Sequence, residues 1–268
     1  MNEKIYKALT IAGSDTSGGA GIQADLKAFQ ACGVFGMTAL TTIVAQDPHR
    51  DWFHAVYPLP IETLKSQLET TLTGIGPDAV KTGMLPTAEI IEVVAETVEA
   101  HKIERLVVDP VMVCKGVDEP VNPEAADSLR KYLVPKAYVV TPNLFEASQL
   151  SRRPLIRTVE EMKEAAKQIY DLGVKYVVIK GGKLDRDDQS VDLFYDGESF
   201  HLFEAEKIDP PHTHGAGCTF AAVITAELAK GKPVFEAVER AKQLVTKAIK
   251  AGFPLNQFVG SVNHLALN

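Results

Sequence analysis

Two spacings of apolar residues take turns along the chain. KALTIAG (residues 7–13), GMTALTTIVAQ (36–46), DAVKTG (78–83), RLVVDPVMV (105–113), AYVVTPN (137–143) and KYVVIKGG (175–182) are short and apolar, and turn-forming residues bound them. Most are rich in β-branched residues, as buried parallel strands are. Between them, AGIQADLKAFQACG (20–33), PIETLKSQLETTL (60–72), PTAEIIEVVAETVEAH (86–101) and TVEEMKEAAKQIYDLG (158–173) repeat apolar residues at helical spacing. Local chemistry sets several helix ends. Thr87 is placed as an N-cap, Thr158 and Glu161 as a capping box, and Gly33 as a C-terminal stop. VDLFYDGESFHLFEAE (191–206) alternates about an Asp-Gly turn and predicts a β-hairpin. Two helices close the chain, from about Ala216 and about Pro233.

Repeated strand–helix units predict an α/β fold, with a mostly parallel central sheet and helices on both faces. No linker, low-complexity tract or internal repeat divides the chain, so residues 1–268 are expected to form one domain.

Composition narrows the function classes. The formal net charge is −7 and no Lys/Arg-rich run stands out, which argues against nucleic acid or an anionic membrane as the main partner. The N-terminal apolar run is too short for a signal peptide, and no stretch reaches the ~18 apolar residues of a membrane span. Cys32, Cys114 and Cys218 are an odd, sparse set without zinc-ligand spacing, expected to be reduced thiols of a cytoplasmic protein.

In open α/β sheets ligands bind beyond the carboxyl ends of the strands, and the unusual residues of this chain fall there. Asp15, Gln46, Lys81, Asp109, Asn143 and Lys180 each follow or end a predicted strand. HGAGCTF (214–220) runs from small residues straight into a helix, whose free N–H groups and positive end suit an anion. Cys218 falls in the first turn, where a thiol pKa tends to fall. A tight turn into a core helix fits the same stretch. VCKGVDEPV (113–121) carries Cys114 in a polar, Gly-containing segment that reads as a flap or as an exposed connection. Asn143 and Glu146 stand three apart at a helix start. They fit hydrated Mg²⁺ and a capping box equally well. Lys180 before two glycines suits a nucleotide phosphate or open solvent. Taken together, these loops supply the positioning and charge neutralisation that phosphoryl transfer requires.

AGSDTSGGAGIQADLK, KTGML, DPVMV, TPNLFEA and THGAGCTF occur in this order. On these motifs the whole chain resembles the ribokinase superfamily, in the branch of the hydroxymethylpyrimidine/phosphomethylpyrimidine kinases and related pyridoxal kinases. The resemblance implies ATP and Mg²⁺ as cofactors and a homodimer. It assigns Gly215, Ala216, Gly217 and Cys218 to the anion hole for the transferring phosphoryl group. Gly13, Asp25, Gln46, His54, Met84 and Val113 go to the substrate pocket, with Asp25 near the substrate hydroxyl. Asp109, Asn143, Lys180, Gly182 and Thr213 go to the nucleotide, and Glu146 to the metal. Sugar kinases of the superfamily carry Asp where this chain has Cys218, which disfavours a sugar substrate.

Within the branch the motifs divide. Cys114, in DPVMVCKGV, is the mark of the dual-cysteine pyridoxal kinases, whose flap thiol is thought to add to the pyridoxal aldehyde. Trp52 and His54, in DWFHAVYPLP, resemble the same group. Gln46, in IVAQD, resembles the pyrimidine kinases. The implied activity is phosphorylation of the hydroxymethyl group of pyridoxal, and of pyridoxine and pyridoxamine. The alternatives are hydroxymethylpyrimidine, dual activity, and a non-catalytic PLP- or nucleotide-binding protein. The intact GAGC, Lys180 and Glu146 argue against the last.

Overall fold

A computed structural model describes residues 4–112, 123–182, 184, 189–209 and 212–267. The strands are β1 (Lys7–Asp15), β2 (Phe35–Asp47), β3 (Phe53–Pro58), β4 (Ala79–Thr82), β5 (Leu106–Val108), β6 (Val139–Val140), β7 (Tyr176–Gly181), β8 (Gln189–Tyr195) and β9 (Phe200–Glu206). They form one sheet in the order β3-β2-β1-β4-β5-β6-β7-β8-β9. From β2 to β7 every neighbouring pair is parallel. β3 joins one edge antiparallel, and β8 and β9 join the other as the predicted hairpin.

The helices are α1 (Gly21–Ala31), α2 (Ile61–Leu68), α3 (Ala88–Ala100), α4 (Pro123–Ser128), α5 (Leu144–Ser151), α6 (Val159–Tyr170), α7 (Ala216–Ala229) and α8 (Val234–Lys250). Alternation along the central strands splits the core into two layers. Leu9, Ile11, Val80, Leu106 and Val108 pack with α2, α3, α5 and α6. Ala8, Ala79, Val107, Val139 and Val178 pack with α1, α7 and α8 on the opposite face. Helices therefore cover both faces, as the strand–helix repeat predicts.

Thr87 accepts from the Ile90 N–H, and Thr158 forms the complete capping box with Glu161. Gly33 follows α1 at φ +72°. β3 is an element the sequence pattern does not predict. DWFHAVYPLP has no clean alternation, and its pairing with β2 is decided by contacts distant from local propensity. The turn before it holds Asp51 and Trp52 at positive φ. No helix among the described residues is long and apolar enough to cross a membrane.

A two-stranded ribbon, β10 (Phe253–Pro254) and β11 (Gly260–Ser261), follows α8. It returns the chain to the start of α7, where the His214 N–H donates to the Gly260 carbonyl and the Val262 N–H to the His214 carbonyl.

Candidate active site

A cavity of about 210 Å³ opens where the carboxyl ends of β1, β2 and β4 meet the start of α7. Gly13, Gln46, His54, Met84, Lys81 and Cys218 lie in its wall. Backbone conformation makes the opening possible. Gly215 caps α7 at φ +86°, and a Cβ there would overlap the Gly19 carbonyl. Gly21 sits at φ +57° against the Gly13 carbonyl, and a Cβ at Gly13 would reach Thr42 Cγ2 at 2.7 Å. Three small-residue loops thus interlock, and only glycine lets them approach this closely. Among the described residues the N–H groups of Gly215, Gly217 and Cys218 have no backbone acceptor, whereas Ala216 and Thr219 do. The free groups end α7 as an anion-binding nest.

Asp15 ties the loops together. His214 Nε2 donates to its Oδ2 at 2.8 Å, the Ala20 N–H to Oδ2 at 2.7 Å, and Gln46 Nε2 to Oδ1 at 2.8 Å. Burial opposes its charge, but the bonds from His214, Ser17 and Ala20 outweigh it and hold the carboxyl well below the usual range. An ionised carboxylate only accepts, so the Gln46 amide must turn its NH₂ towards Asp15 and keep its carbonyl oxygen for a ligand donor.

Lys81 and Asp25 are both fully buried, with Lys81 Nζ donating to Asp25 Oδ2 at 3.0 Å. Thr10 Oγ1 donates to the same oxygen at 2.6 Å. Lys81 is the member of the pair that lines the cavity. Burial raises the Asp25 pKa against the pull of Lys81. The Lys81 pKa stays high despite burial, because Asp25, Cys218 and Asp109 surround it.

Cys218 departs from the sequence expectation. The start of α7 does not lower its pKa. Burial, with Asp25 and Asp109 nearby, pushes the thiol up to about 12, while Lys81 and the Gly21 N–H pull it down. Desolvation of the anion outweighs the helix end here, so the free protein carries a neutral thiol.

On the nucleotide side, Lys180 Nζ donates to Asp109 Oδ1 at 2.7 Å and would lie 3.3 Å from a Cβ on Gly217. Its ammonium therefore stands beside the α7 nest. Asn143 and Glu146 realise the capping box, with the Asn143 N–H donating to Glu146 Oε2 at 2.7 Å and the Glu146 N–H to Asn143 Oδ1 at 2.9 Å. Burial raises the Glu146 pKa to about 7, with Asp109 adding to it and Lys180 opposing. A carboxylate so easily protonated is one that an added cation would ionise. Among the described residues no group of three His, Cys, Asp or Glu side chains could hold a metal alone. The donor set thus fits a Mg²⁺ carried by phosphate and water and steadied by one carboxylate.

Thr213 and Gly182 are exposed, and Ala216 lies in the first turn of α7. Val113 and Cys114 lie outside the described residues. Sequence reasoning placed Asp15 and Lys81 at the ligand-binding strand ends and His214 at the start of the HGAGCTF turn, but assigned none of the three a specific role. A lysine inside an apolar strand was the available signal for Lys81, since lysine is almost never fully buried unless paired.

The sequence profile of the phosphomethylpyrimidine kinase family matches residues 15–263. The chain is 57% identical to the pyridoxine kinase of Bacillus subtilis (strain 168), over 98% of this chain and 97% of that one. It is 43% identical to the hydroxymethylpyrimidine/phosphomethylpyrimidine kinase of the same organism, over 98% and 96% of the two chains. The pyridoxal kinase of Staphylococcus aureus, solved in complex with AMP-PCP and pyridoxal, superposes with a TM-score of 0.93 at 52% identity, over 99% of this chain and 96% of that one.

Proposed function

The chain belongs to the phosphomethylpyrimidine kinase family, and from that membership we propose that it is an ATP-dependent kinase for the hydroxymethyl group of pyridoxal, with pyridoxine and pyridoxamine as further substrates. The observation that carries this reading is the cavity wall. An apolar-backed pocket of ring size, with one acceptor at Gln46, ends on the anion nest of α7. The higher identity to a pyridoxine kinase than to a hydroxymethylpyrimidine kinase, together with the presence of Cys114, favours the B6 ring.

In this reading the ring lies between Gly13, Met84, Gln46 and His54, with its hydroxymethyl group towards Cys218. The γ-phosphoryl group of ATP sits over the N–H groups of Gly215, Gly217 and Cys218, with Lys180 alongside. The substrate oxygen bonds to the γ-phosphorus as the bond from that phosphorus to ADP breaks, and the hydroxyl proton passes to the Cys218 sulfur after that sulfur has released its own proton to solvent and stands as thiolate. The nest takes up charge as it develops on the equatorial oxygens. Glu146 would help hold Mg²⁺ through water and phosphate, and the ion would supply charge neutralisation for the phosphates. Residues 1–268 act as one kinase domain, which the continuous nine-stranded sheet supports.

The test is one ADP-release panel with pyridoxal, pyridoxine, pyridoxamine and hydroxymethylpyrimidine, run on the wild type and on Cys114→Ala. Wild type should give its highest kcat/KM with a B6 vitamer. A thiol adds reversibly to an aldehyde and to none of the other ring substituents. Cys114→Ala should therefore lower kcat/KM by ~10-fold or more for pyridoxal, and only a few-fold for the others. Turnover of hydroxymethylpyrimidine alone would replace this reading with the pyrimidine kinase activity.

A further inference from the structure

Proton transfer to Cys218 demands a thiolate, yet most of its surroundings oppose one. Burial acts against the anion, as do the carboxylates of Asp25 on α1 and Asp109 beyond β5. Two groups favour it, the Gly21 N–H and the Lys81 ammonium on β4. Lys180 on β7 also senses Cys218, but its nearest partner is Asp109 at 2.7 Å. Lys81 alone among these cations has no exposed surface.

The position of Lys81 is over-determined. Its side chain leaves a four-residue strand whose residues are all buried, and its Nζ would lie 3.0 Å from a Cβ on Gly83. Asp25 holds it through Oδ2, the oxygen that also accepts from Thr10, while Asp25 Oδ1 is buried without a partner among the described residues. A stable core does not require this pair, since apolar residues of the same volume often serve as well or better. A lysine that is fully buried in such a pair, and also reaches a cavity wall with a thiol, has a task there.

We propose that Lys81 is a positioning residue for phosphoryl transfer: held by Asp25, it is the fixed cation that shares the cavity wall with Cys218 and gives the sulfur access to its thiolate, so that it can accept the substrate proton. This rests on the kinase reading above for the reaction and its substrate, while the coupling of Lys81 to the sulfur is tested without either.

The geometry makes a prediction of opposite signs. Asp25→Asn removes an anion from beside the sulfur and leaves Lys81 in place, so the thiolate fraction should rise. Asp25→Asn with Lys81→Met removes the cation as well, so the fraction should fall below that of the single variant. The introduced amide keeps an oxygen for the Thr10 bond in both, and the double variant leaves no unpaired buried charge. The measurement is the rate of iodoacetamide alkylation of Cys218 at pH 8, followed by peptide mass spectrometry. That rate tracks the thiolate. Asp25→Asn should react ~3-fold or more faster than the wild type, and the double variant ~10-fold or more slower than Asp25→Asn. With ATP and pyridoxal, kcat of the double variant should fall ~10²-fold below Asp25→Asn at neutral pH and recover partly as pH rises, with KM for ATP unchanged.

Equal alkylation rates in the two variants, or slower alkylation in Asp25→Asn than in the wild type, would overturn the proposal. Misfolding of the double variant leaves the comparison of Asp25→Asn with the wild type. If Asp25→Asn misfolds, Lys81→Met takes its place, and alkylation of Cys218 in it should be slower than in the wild type. Alkylation needs no substrate. A wild type inactive on pyridoxal would therefore refute the function reading, while the alkylation rates would still decide whether Lys81 sets the thiolate of Cys218.

Discussion

Gly215→Ala is the most direct perturbation of the anion nest. Gly215 holds φ +86° at the cap of α7, where an L-residue is strained by about 1–2 kcal/mol. The added Cβ would also overlap the Gly19 carbonyl, which lies in the loop leading to α1. Backbone faces backbone there, so no side chain can swing away. The loops must part by about 1 Å or more, carrying the free N–H groups of Gly217 and Cys218 with them. Displacements of that size cost ~10²-fold in rate even when they arise away from the chemistry. Gly33→Ala provides the control. Gly33 has φ +72°, but nothing lies within 4 Å of its Cβ position, so the variant carries the strain without the collision. Both variants should melt a few degrees lower, at about 2–4 °C per kcal/mol for chains near this size. Only Gly215→Ala should lose kcat, by ~10²-fold, in an ADP-release assay at saturating ATP and pyridoxal. If Gly215→Ala stays within three-fold of Gly33→Ala in kcat, the nest is not where charge develops in the transition state.

Two further predictions concern the metal side and assembly. The Glu146 pKa is raised to about 7 from an unfolded value of 4.5, so the folded state holds a proton that the unfolded chain releases, and stability falls as pH rises between these values. Glu146→Gln removes that penalty. Its melting temperature relative to the wild type should climb from pH 4.5 to pH 7.5, and its half-saturating Mg²⁺ concentration should increase. A difference flat across that range, with unchanged Mg²⁺ dependence, would leave Glu146 as a helix cap alone. A homodimer, expected from the family resemblance, should sediment at twice the 29.1 kDa chain mass at micromolar concentration, and a monomer peak there would refute it.

The elements were legible wherever local chemistry decides them. The capping boxes at Thr158 and Asn143 are short-range hydrogen bonds written in a few consecutive residues. The buried strands announce themselves by apolar runs, because a parallel sheet covered on both faces leaves no polar side. β3 was not legible. It lies antiparallel at the edge, with exposed Phe53 and Tyr57, and its place depends on β2.

For the site, the sequence by itself determined which residue types gather at the strand ends: glycines, Lys180, Asn143, Glu146 and the GAGC turn. It determined them because a phosphate-binding turn requires small residues at fixed offsets along one stretch of chain. Only the tertiary structure decided the charge on Cys218 and the partner of Asp25. A helix start alone predicts a lowered thiol pKa, but burial and the field of the Asp25 and Asp109 carboxylates act on the sulfur, and desolvation grows with everything packed around it. Asp25 and Lys81 are 56 residues apart, and their bond exists because β1 and β4 are neighbours in the sheet, with α1 packed on β1. Sequence spacing carries backbone geometry, which is local. Burial and Coulomb energy depend on distances through space, and these exist only once the chain has folded.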